Sequence, residues 1–335
     1  MKNRVKIAST ALALVMAAGA ALSTGSSLAA EKMRISLQLP LKSHLGQNLL
    51  LFEKEVEQRT NGEIDVEIYD SAQLYKDKEV PQAVGSGAIE AGVASLTRYV
   101  GDIPAVDLFY MPFLLNSEDK VRGAVSKGMP IRSAIEDAIT NTGSKTLFWQ
   151  AYGGAIMLSK GEPIKTPKDL EGKKVRVFGK TLGDFVSAAG GAPTLISGSE
   201  QYLAYQRGTV DVGMTGVSGV KSRKLWEVMD TITVTNHADI EFIVVVNQKW
   251  WDGLSEENRK AIESAAEVAD KAVRDEMASI EAEAFAAAKE NGMTVYVPTE
   301  EEIEAWKSVS SPVYENYKKS AGELGQKLME AANAL

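Results

Sequence analysis

The chain has 335 residues, no cysteine, 37 lysines and arginines against 45 aspartates and glutamates, and a formal net charge of −8. Without cysteine there is no disulfide, thiolate metal ligand or cysteine nucleophile, and an acidic chain does not hold nucleic acid or anionic lipid by bulk charge. The length exceeds what one compact core usually holds, so two lobes are expected.

Residues 1–29 read as a signal peptide. Lys2, Arg4 and Lys6 make a basic start, an Ala-rich apolar run follows from Ile7 to Leu22, and Ser27 and Ala29 meet the small-residue rule for cleavage after Ala29. Cleavage after Ala30 fits nearly as well. An uncleaved anchor is the alternative, but the run is short for one, and nothing later approaches the ~18 uninterrupted apolar residues of a membrane span. With no cysteine behind the leader to take a lipid, the mature protein is expected to diffuse freely in a bacterial periplasm.

From Lys32 the chain alternates like a strand (KMRISLQLP). His44 to Thr60 has helical spacing at Leu45, Leu49, Phe52 and Val56, and Asn61-Gly62 makes a turn before a second strand, EIDVEIYD. A helix over 78–87 and a short buried strand, EAGVAS, complete a β-α-β-α-β unit, which predicts a mostly parallel sheet. Pro112 denies DLFYMPFLL a regular strand interior. Residues 118–142 read as helical and KTLFWQAYGG as the next strand.

A second β-α-β-α-β unit follows from about 154, through VRVF, TLGDFVSAAGG, APTLIS, SEQYLAYQRG and TVDVGMTG. DIEFIVVVN is a late apolar strand, whose return to the first unit would make the chain cross between lobes more than once. Ser255 to Asn291 is one long helical stretch, capped at Ser255 and stopped by Asn291-Gly292. MTVYVP is a last strand. The remainder, 299–335, is amphipathic helix with Trp306, Val309, Val313, Tyr317 and Leu324 on its inner face.

Several chemistries fail on spacing. Gly179-Lys180-Thr181 ends like a phosphate-binding loop, but the glycine required five residues earlier is Lys174. No dinucleotide fingerprint follows a strand, and no G-x-S-x-G is present. The two histidines, His44 and His237, have no metal-ligand spacing. No cofactor or metal is implied. Arg176 stands out instead. In VRVF it shares a face with Phe178, opposite Val175 and Val177. A guanidinium on a buried face is costly unless an anion meets it, and its planar fork matches a carboxylate. An internal salt bridge or a surface strand is the bland alternative.

Taken in order, TNGEIDVEIYDSAQL (60–74), DLEGKKVRV (169–177), SEQYLAYQRGTVD (199–211), KLWEVMDTITVTNH (224–237) and IVVVNQKWWDGLSEENRKAI (243–262) resemble the DctP-type solute-binding proteins of tripartite ATP-independent periplasmic (TRAP) transporters. The resemblance spans about 31–330. It implies an α/β, two-lobed periplasmic-binding fold, with an interlobe cleft and a long bracing helix in the C-terminal part. Lobe I is expected over 30–153 plus about 242–280, and lobe II over 154–241 plus about 281–335. It further implies capture rather than catalysis, of a small organic acid by a monomer that delivers it to small and large membrane subunits. A binding protein of an ATP-driven importer and a secreted α/β enzyme are the alternatives.

By the same resemblance, Arg176 is the residue that binds the ligand carboxylate and Thr215 stands where an asparagine often assists. Phe178, Trp149 and Tyr152 are candidate apolar walls, and Gln38, Ser95 and Tyr99 are candidate contacts from lobe I. Two positions depart from the pattern. Ile156 replaces a common second arginine, and Gly198 replaces a pocket phenylalanine. A less positive pocket and a monocarboxylate, or a sulfonate, are therefore expected. Tyr75 is expected at the cleft mouth and His237 in a structural role.

Overall fold

In the computed structural model, which describes residues 30–335, the first unit forms as the alternation predicts. Its elements are β1 (Glu31–Ser36), α1 (His44–Arg59), β2 (Ile64–Tyr69), α2 (Val80–Gly85) and β3 (Ala91–Ser95). The leader expected over 1–29 lies outside the described residues. Ser43 caps α1 by accepting from the Gly46 N–H at 3.1 Å, and Leu45, Leu49, Phe52 and Val56 are its buried face. The helix stops where Asn61 and Gly62 take left-handed φ of 52° and 78°.

The segment expected as one helix over 118–142 is two, α3 (Glu118–Val125) and α4 (Pro130–Thr140). Gly128 turns with φ 82°, and Pro130 lacks an N–H and holds the residue before it extended, so the break falls between them. The next strand, β4 (Ser144–Ser159), runs past the expected KTLFWQAYGG. It bends between Ala151 and Gly153, where a register shift coincides with Gly153 at φ 90°.

The second unit comprises β5 (Lys174–Val177), α5 (Lys180–Ala188), β6 (Ala192–Leu195), α6 (Gln201–Gln206) and β7 (Val212–Gly216). It continues into α7 (Val217–Arg223) and β8 (Thr231–Thr233). Then come β9 (Asp239–Asn247), α8 (Gln248–Gly253), α9 (Glu256–Glu290), β10 (Thr294–Tyr296), α10 (Glu300–Ser308) and α11 (Ser311–Asn333), the last broken at Gly322.

β1 lies parallel to β2 and β3, and β9 returns antiparallel to β3. β9 pairs β4 from Ser144 to Gly154. From Ala155 onward β4 instead pairs β7, with β8 on its other edge, and β5 and β6 continue the sheet beyond β7 in parallel. One strand therefore belongs to both halves, and its partners change between Gly154 and Ala155. Helix α9, 35 residues and about 52 Å long, packs on α1 and β4 toward one half and on α7 and β10 toward the other. Its cap at Ser255 and its stop at Asn291 are those expected from the sequence. Among the described residues no helix is long and apolar enough to cross a membrane.

Candidate functional site

The strands of both halves end around a narrow cavity of about 30 Å³. Gln38, Asp77, Ser95 and Arg98 come from the first half, Tyr152, Ile240 and Phe242 from the crossing strands, and Arg176, Phe178, Gly198, Gln201, Thr215 and Arg223 from the second. A wider groove between α1, α7 and α9 lies beside it. His44 lines that groove and its ring packs on Tyr152, 5.2 Å between centroids, so these two side chains form the wall between the spaces.

Arg176 is held in mid-sheet, between Gly213 of β7 and Thr194 of β6, and is 3% exposed. Its Nε donates to the Ile196 carbonyl at 3.0 Å and its Nη1 to the Met214 carbonyl. The guanidinium carbon lies 5.4 Å from the Phe178 ring centroid. Burial pulls its pKa down to about 10, with Arg98 and Arg223 pushing the same way, and no carboxylate opposes them. The group stays protonated at neutral pH, oriented by carbonyls that do not neutralise it. Among the described residues Nη2 has no hydrogen-bond acceptor, and the side chain lines the cavity.

The other two arginines differ. Arg98 donates through Nε to Asp77, whose carboxylate also takes the Ser95 N–H at 2.8 Å and hydroxyl at 3.1 Å. That pair is buried and self-compensated. Arg223, in the last turn of α7, donates Nη1 to the Tyr152 hydroxyl at 3.1 Å, and among the described residues it has no carboxylate partner. Arg223 thus brings a guanidinium to the cavity from an element other than the strand that carries Arg176.

Of the residues singled out in the sequence, Gln38, Ser95, Tyr152, Arg176, Phe178, Gly198 and Thr215 share this cavity. Three others lie elsewhere. Trp149 is fully buried, its indole N–H donating to Glu136 at 2.9 Å and its ring 5.4 Å from Phe109. Tyr99 is fully buried in the first-half core. Ile156 pairs with Thr215 across β4 and β7, but packs among Leu158, Tyr205 and Val217 in a second core. Tyr75 is tied to Ser36, whose hydroxyl exchanges hydrogen bonds with its backbone. His237 is buried, with Nδ1 2.7 Å from the Thr235 hydroxyl.

Asp77, Arg98, Gln201, Arg223, Ile240 and Phe242 were not anticipated. Arg223 sits in Lys221-Ser222-Arg223-Lys224, which reads as a solvated helix end. Arg98 follows a buried strand as Arg176 occupies one, and that parallel was the available signal. The phosphate-loop tail has a different role. Gly179 precedes α5 where a Cβ would stand 2.6 Å from the Thr97 hydroxyl, so it permits close approach of the two halves, and Lys180 pairs with Asp184 at 3.0 Å. Among the described residues no group of acidic or histidine side chains could hold a metal.

Residues 35–320 match the family described as bacterial extracellular solute-binding protein, family 7 (DctP). The C4-dicarboxylate-binding periplasmic protein DctP of Rhodobacter capsulatus is 32% identical over 295 residues, covering 86% of this chain and 87% of that protein. The sialic acid-binding periplasmic protein SiaP of Vibrio cholerae is 24% identical, covering 88% and 91%. Among solved structures, DctP7 of Bordetella pertussis, an extracytoplasmic solute receptor binding pyroglutamic acid, superposes with a TM-score of 0.86 at 20% identity, covering 91% of this chain and all of that one. A TRAP periplasmic solute-binding protein of Sulfurospirillum deleyianum with bound succinate gives 0.85 at 23%, covering 92% and 99%. With a family match across most of its length and a relative above 30% identity, this chain belongs to the DctP family of TRAP-type periplasmic solute-binding proteins.

Proposed function

We propose that this protein is the periplasmic receptor of a TRAP transporter, and that it captures a small organic acid by seating its carboxylate on Arg176. The observation that carries this reading is the guanidinium itself, buried, aimed by two carbonyls and, among the described residues, without a carboxylate partner. Thr215 offers one hydroxyl beside it, and Phe178 and Phe242 give the cavity apolar walls. The C4-dicarboxylate, pyroglutamic acid and succinate named for the relatives support an acid in this place. Lobes divided near 153 and 242 fit the change of partners along β4. Closure of the lobes excludes water and strengthens the ion pair, and the closed monomer delivers its cargo to the small and large membrane subunits. A monocarboxylate, or a sulfonate, is the finer reading of the acid, from Ile156 and Gly198 in the places of a second arginine and a pocket phenylalanine.

The test is a thermal-shift panel of small organic acids, followed by calorimetry of Arg176→Ala with the best of them. A bound acid raises the melting temperature of the wild type. Removing the guanidinium should cost roughly 2–5 kcal/mol of binding free energy, as for truncation of one partner of a buried charge pair. Unchanged affinity in a folded variant would refute the clamp.

A further inference from the structure

We propose that the groove between α1, α7 and α9 is a second small-molecule site, apart from the cleft, and that it takes a neutral polyhydroxylated molecule, a polyol or a monosaccharide. The inference does not depend on the Arg176 reading. The groove holds about 590 Å³, within the roughly 300–1,000 Å³ of small-molecule sites, where the cleft cavity holds about 30 Å³. Its walls come from both halves, with His44 and Leu51 on α1, Ser218 and Ser222 on α7, and Val273 and Ile280 of α9 between them. The His44 and Tyr152 rings separate it from the cleft.

The polar groups of the groove call for a ligand that both donates and accepts. Ser218 and Ser222 lie one turn apart on one face of α7, 5% and 8% exposed, and among the described residues neither hydroxyl has a hydrogen-bond partner. A buried hydroxyl in that state is costly until a partner arrives. His44 Nε2 donates to the Ala151 carbonyl at 3.0 Å, so the neutral ring has Nδ1 as an acceptor, which only a donor can meet. Charge does not select an ion here. Lys221 pairs with Glu283 at 2.9 Å, and Lys42 and Glu276, of opposite sign, are both exposed, so the lining carries no net charge and solvent screens the charges it has. A carboxylate cannot donate to Nδ1 and an ammonium cannot accept from the serines, whereas a hydroxyl does both. Leu51, Val273 and Ile280 supply apolar surface for the C–H face of a sugar or polyol.

Calorimetry of the purified protein with xylitol and D-glucose tests this, with glycine betaine as a zwitterionic control. At least one of the two probes should bind at a single site with a Kd of about 1 mM or tighter. Joint replacement Ser218→Ala and Ser222→Ala should weaken that binding about tenfold or more, by removing two hydrogen-bond partners. Ile280→Trp should block it by filling the groove from α9. The two changes act from different elements, so loss of binding in both, with unliganded melting temperatures close to the wild type, places the ligand in the groove. Arg176→Gln should leave the affinity for the probe within about threefold, because that residue lines the other cavity and shares no partner with the groove. The same variant keeps the two readings separate, since it should weaken acids and spare the probe. No binding of xylitol or glucose would overturn the proposal. Binding lost in Arg176→Gln but kept in the serine and Ile280 variants would also overturn it, by placing the probe in the cleft, and a preference for betaine over both probes would overturn the ligand class.

Discussion

A buried arginine can be told apart by what it already holds. Arg274 grips Glu241 through both Nη atoms at 2.7 and 2.9 Å, and Arg98 grips Asp77, so both charges are spent inside the protein. Arg176 is aimed by carbonyls alone, and a desolvated cation in that state is costly until an anion arrives. The sequence revealed Arg176 because one charge interrupts an apolar strand. Arg223 stayed hidden because a basic helix end looks the same whether it faces solvent or a cleft. Gly198 was noted as an unusual residue, and the structure supplies its reason: it leaves space for Gln38 and Arg223. Gly198→Ala should therefore leave stability within about 1 kcal/mol, because both displaced groups are ends of flexible side chains, while weakening ligand binding by crowding them. A denaturant melt without ligand and calorimetry with it separate the two effects, and an alanine variant of unchanged affinity would remove the glycine from the site.

At the scale of elements, the site is held where helix starts and strand ends meet across the two halves. Asp107, in the 3-10 turn Pro104–Tyr110, accepts the Thr97 hydroxyl at 2.7 Å, the Thr181 hydroxyl at 2.7 Å and the Thr181 N–H at 3.2 Å. It thereby ties the first half to the start of α5, directly after the strand that carries Arg176. Burial pushes its carboxyl up from the ordinary carboxylate range. Asp107→Ala should cost roughly 2–3 kcal/mol by leaving buried donors without an acceptor, and Asp107→Asn clearly less, because its carbonyl oxygen still accepts. Urea denaturation of both variants checks the order, and equal costs would mean that packing rather than hydrogen bonding dominates there. Elements with strong local signals were legible in the sequence, such as α1 with its buried face and α9 with its Ser255 cap. The far end of β4 and the short β8 were not. Each exists because another strand lies beside it, and pairing partners leave little mark on local periodicity. The split between α3 and α4 was written in Gly128 and Pro130 but overridden by the helical spacing around them.

For the whole molecule, β4 and α9 run through both halves, and side chains of the two halves meet at the cleft. Lys76 and Glu200 meet across its mouth at 2.8 Å, a solvent-exposed pair that salt screens. Deeper in, His44 binds the Ala151 carbonyl through Nε2 at 3.0 Å and lies against Tyr152. A carbonyl only accepts, so Nε2 carries the proton of the neutral ring. Burial lowers the His44 pKa to about 4, with Arg223 pushing the same way, and burial lowers His237 to about 3. Both pKa values lie below the ordinary 6.5 of an unfolded histidine, so between these limits the unfolded chain binds more protons than the folded one. Stability therefore falls as pH drops below about 6.5, and the loss from each histidine is complete only below its folded value. For His44, the gap between 6.5 and about 4 corresponds to ~3 kcal/mol. His44→Gln keeps a donor for Ala151 and cannot titrate. Its stability should therefore fall less between pH 7 and pH 4.5 than that of the wild type, by roughly 2–3 kcal/mol in chemical denaturation, while His237 and the carboxylates contribute equally to both proteins. Parallel pH profiles for the two would mean that His44 titrates in the folded protein as it does in water, and that the wall between the cleft and the α1–α9 groove is open to solvent.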